Sequence, residues 1–313
     1  MSPIIPLIDL NTPNVQEVAQ AIGDAIKTVG FLHVKNLHPK INQTSVDRMF
    51  AISGQLFSSP RDELQKCRSN GRNGWVPFQA NRLDEIKSAA SGGDLKQNFA
   101  YGRYSAPATK TEQPLPPALL QVQDEVDEFH NACYEGSSKL FDAFSVALGL
   151  PVDYFRKCHD AGFCALTFIS YPQVAPGQAP DGPDVARASA HKDWGSLTLL
   201  FQEQRGTPGL EIFHKGEWHP APIIPNTVLV NVGLALELWT GNQFVATLHR
   251  VLTFPEPDGG YKARKSIAYF VQPKDDVILN TINEDGSITE TEGALTSGQF
   301  WEQRMGASTI AAA

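Results

Sequence analysis

The chain has 313 residues, 42% hydrophobic and 19% charged, with 26 Lys and Arg against 34 Asp and Glu and a net charge of −8. This is a globular composition, and the length suits two domains of roughly 150 residues or one large β-barrel with a helical annex. No basic cluster stands out, which argues against an electrostatically driven nucleic-acid or anionic-membrane partner, and no apolar run approaches the roughly 18 residues of a membrane span.

Ile4 to Leu10 reads as a short strand. A helix follows, with Thr12 as N-cap and Pro13 at its first position. Val15, Val18, Ile22, Ile26 and Val29 recur at helical spacing and form one apolar face. Gly30 stops that helix, and Phe31 to Val34 predicts a second strand. Val46, Met49, Phe50, Leu56 and Phe57 predict a helix from Asn42 to Phe57, and Ser59-Pro60 opens a further helical turn. Residues 67–115 hold no sustained period and read as loops, with short strands around Trp75 and around Phe99 to Tyr101. A single long helix is expected from Pro117 to Leu148, carried by Leu119, Val122, Val126, Phe129, Cys133, Leu140, Phe141 and Phe144. Gly149 and Pro151 end it.

Beyond residue 160 the texture changes. Short β-type runs dominate: Leu166–Tyr171, Leu197–Gln202, Leu210–His214, Thr227–Val232, Thr247–Phe254 and Ser266–Val271. Strands at this spacing with Gly and Pro turns indicate a sandwich or barrel. The helices that parallel βαβ units need are not seen between them. Pro172 to Asp184 reads as a long loop and a candidate lid over a substrate. The four cysteines form no CxxC pair and are too few for a disulfide framework. The N-terminus lacks the basic and long apolar regions of a signal peptide, and the C-terminus carries no lipidation or peroxisomal signature. The expectation is a cytoplasmic, reduced protein.

Six of the eight histidines read as structural or solvent-facing: His33, His38, His130, His159, and the pair His214 and His219, which flank an exposed hairpin turn beside Trp218. His191 has different company. In His191-Lys192-Asp193, an extended backbone turns both side chains to one face, so an imidazole and a carboxylate reach a common ion. His249 supplies a second imidazole in another strand-like run. Two His and one carboxylate make the facial triad of non-haem Fe(II) oxygenases. The H-x-D spacing alone is a weak signal. Arg264 and Ser266 also share one face, and a guanidinium beside a hydroxyl can clamp a carboxylate. Arg264 read alone is a surface ion pair, but the apolar run Ile267 to Val271 after it argues that it faces a pocket. A zinc hydrolase would use the same three ligands around a metal-bound water, yet it has no need of the clamp. A non-catalytic jelly-roll binding protein has no need of either.

The order H-x-D, then His, then R-x-S resembles the 2-oxoglutarate/Fe(II)-dependent dioxygenases, in the branch of isopenicillin N synthase and the plant flavonoid and gibberellin oxygenases. The likeness spans most of the chain. It includes Ile5 to Leu10, Gly30 to Asn36, Asp94 to Phe99, Leu148 to Pro151, Gly209 to Ile212, Gly216 to Trp218 and Asn231 to Gly233, in the family's order.

The resemblance implies a mainly β protein with flanking helices: a double-stranded β-helix (jelly roll) core with a helical N-terminal region. Residues 1–115 would form an N-terminal α/β region packed on residues 116–313, the long helix plus the core, as one compact unit. His191, Asp193 and His249 would bind Fe(II). Arg264 and Ser266 would hold the far carboxylate of 2-oxoglutarate, and Tyr171 would add a hydrogen bond to it or to a substrate. Trp194, Phe270 and Leu234 are candidate substrate-pocket residues, and Trp75, Phe78 and Tyr101 are further aromatic candidates. Leu234 stands where the family commonly has Asp, Thr167 where it often has a basic residue, and Trp194 where smaller residues are common. The implied cofactors are Fe(II), 2-oxoglutarate and O2, with ascorbate a candidate reductant. The implied reaction oxidises an unactivated C–H bond of a small, mostly apolar molecule by hydroxylation, desaturation or oxidative cyclisation, in secondary metabolism. No nucleic acid, membrane or obligate protein partner is expected. The alternative within the branch is an isopenicillin N synthase-type oxidase that uses no 2-oxoglutarate and binds a substrate carboxylate at Arg264 and Ser266.

Overall fold

The computed structural model describes residues 4–69, 71–80, 94–102, 112–176, 186–252, 256–257 and 259–308. It opens on a parallel pair. Strands β1 (Leu7–Asp9) and β2 (Phe31–Lys35) lie side by side, Leu7 opposite His33, and helix α1 (Val15–Thr28) connects them. Parallel neighbours need such a crossover. β1 is shorter than the Ile4–Leu10 expectation because Pro6 has no N–H to give. Pro6 offers only its carbonyl, which accepts from the His33 amide at 2.8 Å. The cap of α1 is Asn14, not Thr12: its side chain accepts from the Glu17 amide at 3.2 Å, leaving Pro13 outside the helix. Gly30 sits at φ +68, and a Cβ there would meet the Val245 carbonyl oxygen at 2.0 Å, so this turn requires glycine.

Helix α2 (Gln43–Phe57) starts at Asn42 with a reciprocal cap from Ser45, and α3 (Arg61–Lys66) follows Pro60. Strands β3 (Gly74–Val76) and β4 (Gln97–Gly102) come next. The single helix expected from Pro117 is two, α4 (Pro117–Leu120) and α5 (Gln123–Ala147). Val122, at φ −126 and ψ 20, leaves the helical range between them. The face of α5 that buries Val126, Phe129, Cys133, Leu140, Phe141 and Phe144 is the one the spacing picks out. It packs on α1 and on the short α6 (Tyr154–Lys157).

The remaining strands are β5 (Ala165–Tyr171), β6 (Ala186–His191), β7 (Leu197–Gln202), β8 (Leu210–His214), β9 (Glu217–Pro220), β10 (Val228–Val232), β11 (His249–Leu252) and β12 (Arg264–Val271). They form two sheets. The larger runs β1-β2-β10-β7-β12-β5-β4-β3, and the smaller runs β6-β11-β8-β9. Every named neighbour pair except β1 and β2 is antiparallel. This is the jelly-roll architecture, with N-terminal strands extending both edges of the larger sheet. Alternation along the strands makes two cores. Leu197, Leu199 and Phe201 face the helices. Phe31, Tyr171, Ala188, Ile212 and Val251 fill the space between the sheets.

Helix α7 (Leu234–Trp239), the ribbon β13 (Thr281–Ile282) with β14 (Ile288–Thr289), and α8 (Ser297–Ser308) complete the chain. The lysine-glycine turn between β8 and β9 is a hairpin, with Lys215 at φ 51 and Gly216 at φ 86. The end of the expected Thr247–Phe254 strand and the Pro172–Asp184 segment from residue 177 lie outside the described residues. No helix among the described residues is long and apolar enough to cross a membrane.

Candidate active site

His191 closes β6 and His249 opens β11, and the two are register partners in the smaller sheet. Asp193 lies in the turn that carries the chain from β6 to β7 in the larger sheet. The potential ligand atoms of the three residues all lie within 4.8 Å of one another. Asp193 Oδ1 is 3.8 Å from His191 Nε2 and 3.7 Å from His249 Nε2.

The surrounding hydrogen bonds aim these atoms. His191 Nδ1 donates to the Ser189 carbonyl at 2.7 Å, and His249 Nδ1 donates to the Thr247 carbonyl at 3.0 Å. A carbonyl only accepts, so each Nδ1 carries the proton and each Nε2 presents a lone pair inward. Asp193 Oδ2 accepts from Thr198 Oγ1 at 2.6 Å and from Asn231 Nδ2 at 2.8 Å. That leaves Oδ1 facing the imidazoles. Burial and the neighbouring His249 push His191 down to about 3, so it is neutral across the physiological range. Burial alone would raise the Asp193 carboxyl. His249, His191, Asn231 and Thr198 outweigh it and hold the carboxyl below its ordinary value. Two imidazoles and one carboxylate, with an open side, are the donor set that suits Fe(II). The hydrogen bonds that orient such ligands support metal affinity.

The backbone around Asp193 is tightly packed. Gly233 N donates to the Ser196 carbonyl at 2.9 Å and Leu234 N to the Asp193 carbonyl at 2.8 Å. A Cβ on Gly233 would lie 2.2 Å from the Gly195 carbonyl oxygen. Leu234 thus meets the site through its backbone, at the start of α7, and does not line the cavity described below. Lys192 pairs with Glu237 at 3.1 Å.

Arg264 and Ser266 lie on β12, buried between the sheets, with Tyr171 opposite Arg264 in register. Arg264 Nη1 donates to Ser266 Oγ at 3.3 Å, Nη2 donates to Gln202 Oε1 at 3.2 Å, and its Cζ is 5.0 Å from the centre of the Tyr171 ring. Among the described residues the hydrogen-bond partners of the guanidinium are neutral, as a binding site for an anion requires.

A cavity of about 440 Å³ opens onto His191 and Asp193. Trp75, Trp194, Phe270 and Trp301 give it aromatic walls, and Asn73, Asn98, Thr167 and Gln272 add polar groups. Phe78 is 39% exposed, Tyr101 is buried with its hydroxyl on Asp127, and neither lines it. The lining is less apolar than the sequence suggests. Lys96, Arg72 and Lys192 reach it, each paired with a carboxylate: Asp94 at 3.2 Å, Asp275 at 2.8 Å and Glu237. Trp301, Met305 and Arg72 carry no local motif that separates them from surface residues, so sequence spacing does not find them; Lys96 lies in the Asp94–Phe99 stretch of the resemblance, which assigns it no place in the pocket. The six other histidines stay out of the site. His159, for example, is buried and accepts from Ser196 Oγ at 2.8 Å.

Comparison with known proteins agrees with this geometry. Residues 163–273 match the 2OG-Fe(II) oxygenase superfamily, and residues 5–120 match the family described as non-haem dioxygenase in morphine synthesis N-terminal. The UPF0676 protein C1494.01 of Schizosaccharomyces pombe is 31% identical over 96% of this chain and 91% of its own. Proline hydroxylase buaE of Petromyces alliaceus is 28% identical over 94% of each chain. A full-length Neurospora crassa protein, solved in complex with alpha-KG, superposes with a TM-score of 0.82 at 27% identity, covering 97% of this chain and 96% of that one. The same Neurospora protein has been solved with alpha-KG and thymine, at a TM-score of 0.81. The chain belongs to the 2-oxoglutarate/Fe(II) oxygenase superfamily and is a dioxygenase that uses Fe(II), 2-oxoglutarate and O2.

Proposed function

We propose that this enzyme hydroxylates an unactivated C–H bond of a small organic molecule seated in the aromatic-walled cavity. The observation that carries the reading is the cluster of His191, Asp193 and His249, of which His191 and Asp193 line that cavity, with the Arg264 and Ser266 pair buried on β12. His191 Nε2, Asp193 Oδ1 and His249 Nε2 hold Fe(II). Arg264 and Ser266 take the far carboxylate of 2-oxoglutarate, and Tyr171 packs beside it. When bound, iron with 2-oxoglutarate and O2 supplies an oxidant strong enough to break an aliphatic C–H bond, with succinate and CO2 as coproducts.

The chain's own residues do the rest. The carbonyls of Ser189 and Thr247 fix the orientation of the two imidazoles through their Nδ1 atoms. Thr198 and Asn231 hold the carboxylate. Trp75, Trp194, Phe270 and Trp301 exclude water and offer flat surfaces, while the neighbouring amides supply hydrogen bonds to polar substituents. A compact ring compound or an amino-acid derivative fits that mixture better than a nucleotide or a long chain.

The test is an anaerobic titration with Fe(II) and then 2-oxoglutarate, followed by visible absorption. A weak charge-transfer band that needs both, and is lost in Arg264→Ala, is the expected result. Succinate release then screens substrates, beginning with thymine and proline, the compounds named for the relatives. Fe(II) binding without a band would overturn the assignment of Arg264 and Ser266 to 2-oxoglutarate and favour a substrate carboxylate there.

A further inference from the structure

A second guanidinium stands beside the first. Arg187 lies on β6 and is 2% exposed. Its Cζ is 5.9 Å from the centre of the Tyr171 ring, the same ring that Arg264 approaches at 5.0 Å. Two buried cations against one tyrosine repel each other. Burial and the Arg264 charge both push Arg187 below its ordinary value.

Among the described residues no carboxylate relieves this. Arg187 Nη2 donates to the Lys262 carbonyl, and Arg264 donates to Ser266 and Gln202, all neutral. Arg187 Nη1 is buried with no hydrogen-bond partner among the described residues. An unpaired guanidinium N–H costs free energy unless a ligand completes it.

The strand is also built to place this side chain. β6 pairs with β11 as Ala186 opposite Leu252 and Ala188 opposite Val251, so Arg187 is an extra residue with no partner of its own. Such a bulge re-aims a side chain and is over-represented beside active sites. Ala188, the next residue, already faces the space between the sheets.

We propose that Arg187 is a second anion-binding arm of the 2-oxoglutarate site, closing on the far carboxylate together with Arg264 and Ser266. The proposal rests on the assignment of that carboxylate to Arg264. It goes beyond the R-x-S pair by giving the carboxylate two guanidiniums from two different sheets. Binding of the cosubstrate then ties β6 to β12, and selectivity for a dicarboxylate over a simple keto acid rises.

The experiment measures dissociation constants on the Fe(II)-loaded, anaerobic full chain, with 2-oxoglutarate and with pyruvate, which lacks the far carboxylate. Arg187→Gln should keep its melting temperature and Fe(II) affinity. It should bind 2-oxoglutarate about tenfold to a hundredfold more weakly, with pyruvate binding changed less than about twofold. Arg187→Lys should recover part of the loss, since an ammonium keeps the charge but not the planar fork. If Arg187→Gln does not fold, Arg187→Lys is read alone, and about a threefold or larger weakening for 2-oxoglutarate is expected. Unchanged 2-oxoglutarate affinity, or equal weakening for pyruvate, overturns the proposal. Failure of the wild-type band with 2-oxoglutarate would instead overturn the underlying site assignment.

Discussion

Asp193 holds the two sheets to one chemical task. Its Oδ2 is occupied by donors from β7 and β10, Thr198 and Asn231, while Oδ1 faces two imidazoles from the smaller sheet. Removing a donor frees the carboxylate to rotate and deprives a buried oxygen of its partner. Asn231→Leu should therefore weaken Fe(II) binding by about tenfold to a hundredfold, with Thr198→Val acting in the same direction. Metal titration of the folded variants checks this, and unchanged affinity would show that the turn alone sets the carboxylate. The candidate ligands are legible in the sequence because H-x-D, a later His and R-x-S put chemistry at strand-like positions. Their supports are less so. Thr198 and Asn231 look like ordinary strand residues until register sets them on Asp193. Arg187 is hidden because alternation assumes a regular strand and β6 is bulged.

At the scale of elements, the helices with a continuous apolar face are readable, and those without one are not. α1, α2 and α5 bury one side against the larger sheet, so spacing finds them. α8, with the sequence SGQFWEQRMGAS, has no sustained apolar stripe, and β6, with ARASAH, has no β-branched or aromatic residue. Both nevertheless shape the site. α8 sends Trp301 and Met305 into the cavity lining. Trp301 meets Trp194 edge to face at 6.4 Å, and the Arg72 guanidinium lies 4.5 Å from its ring centre. Such contacts make Trp301 a wall of the cavity proposed for the substrate, and it is not one of the three clustered metal-ligand candidates. Trp301→Ala should leave Fe(II) and 2-oxoglutarate affinities unchanged, raise the substrate KM about tenfold, and release more succinate per substrate molecule oxidised. Parallel assays of succinate and product check the ratio, and a ratio equal to wild type would remove α8 from the substrate site. The N-terminal pair braces the other side. Thr247 Oγ1 donates to the Val29 carbonyl at 2.5 Å, and Phe31 packs edge to face on His249 at 5.6 Å. Gly30→Ala, which forces a Cβ against Val245, should lower both the melting temperature and Fe(II) affinity.

At the scale of the whole molecule, burial holds His33 and His159 neutral, and this makes stability depend on pH. Burial pushes His159 and His33 down to about 4, from the ordinary value near 6.5. His159 is held by donation to the Phe155 carbonyl at 2.6 Å and by acceptance from Ser196, in the turn just after Asp193. Above pH of about 6.5 both folded and unfolded chains keep these rings neutral, and their contribution is complete. Between about 6.5 and 4 the unfolded chain binds protons that the folded chain refuses, so stability falls as the pH falls. Below about 4 both states are protonated and the loss stops growing. The metal-free protein should therefore be less stable at pH 5 than at pH 7. His159→Gln keeps an acceptor for Ser196 but cannot titrate. Its stability should fall by about 2 kcal/mol less than wild type over that interval. Denaturant unfolding at the two pH values measures the difference. An equal loss in both proteins would mean that His159 is not the group responsible, and that acid sensitivity arises from His33 and His191 instead.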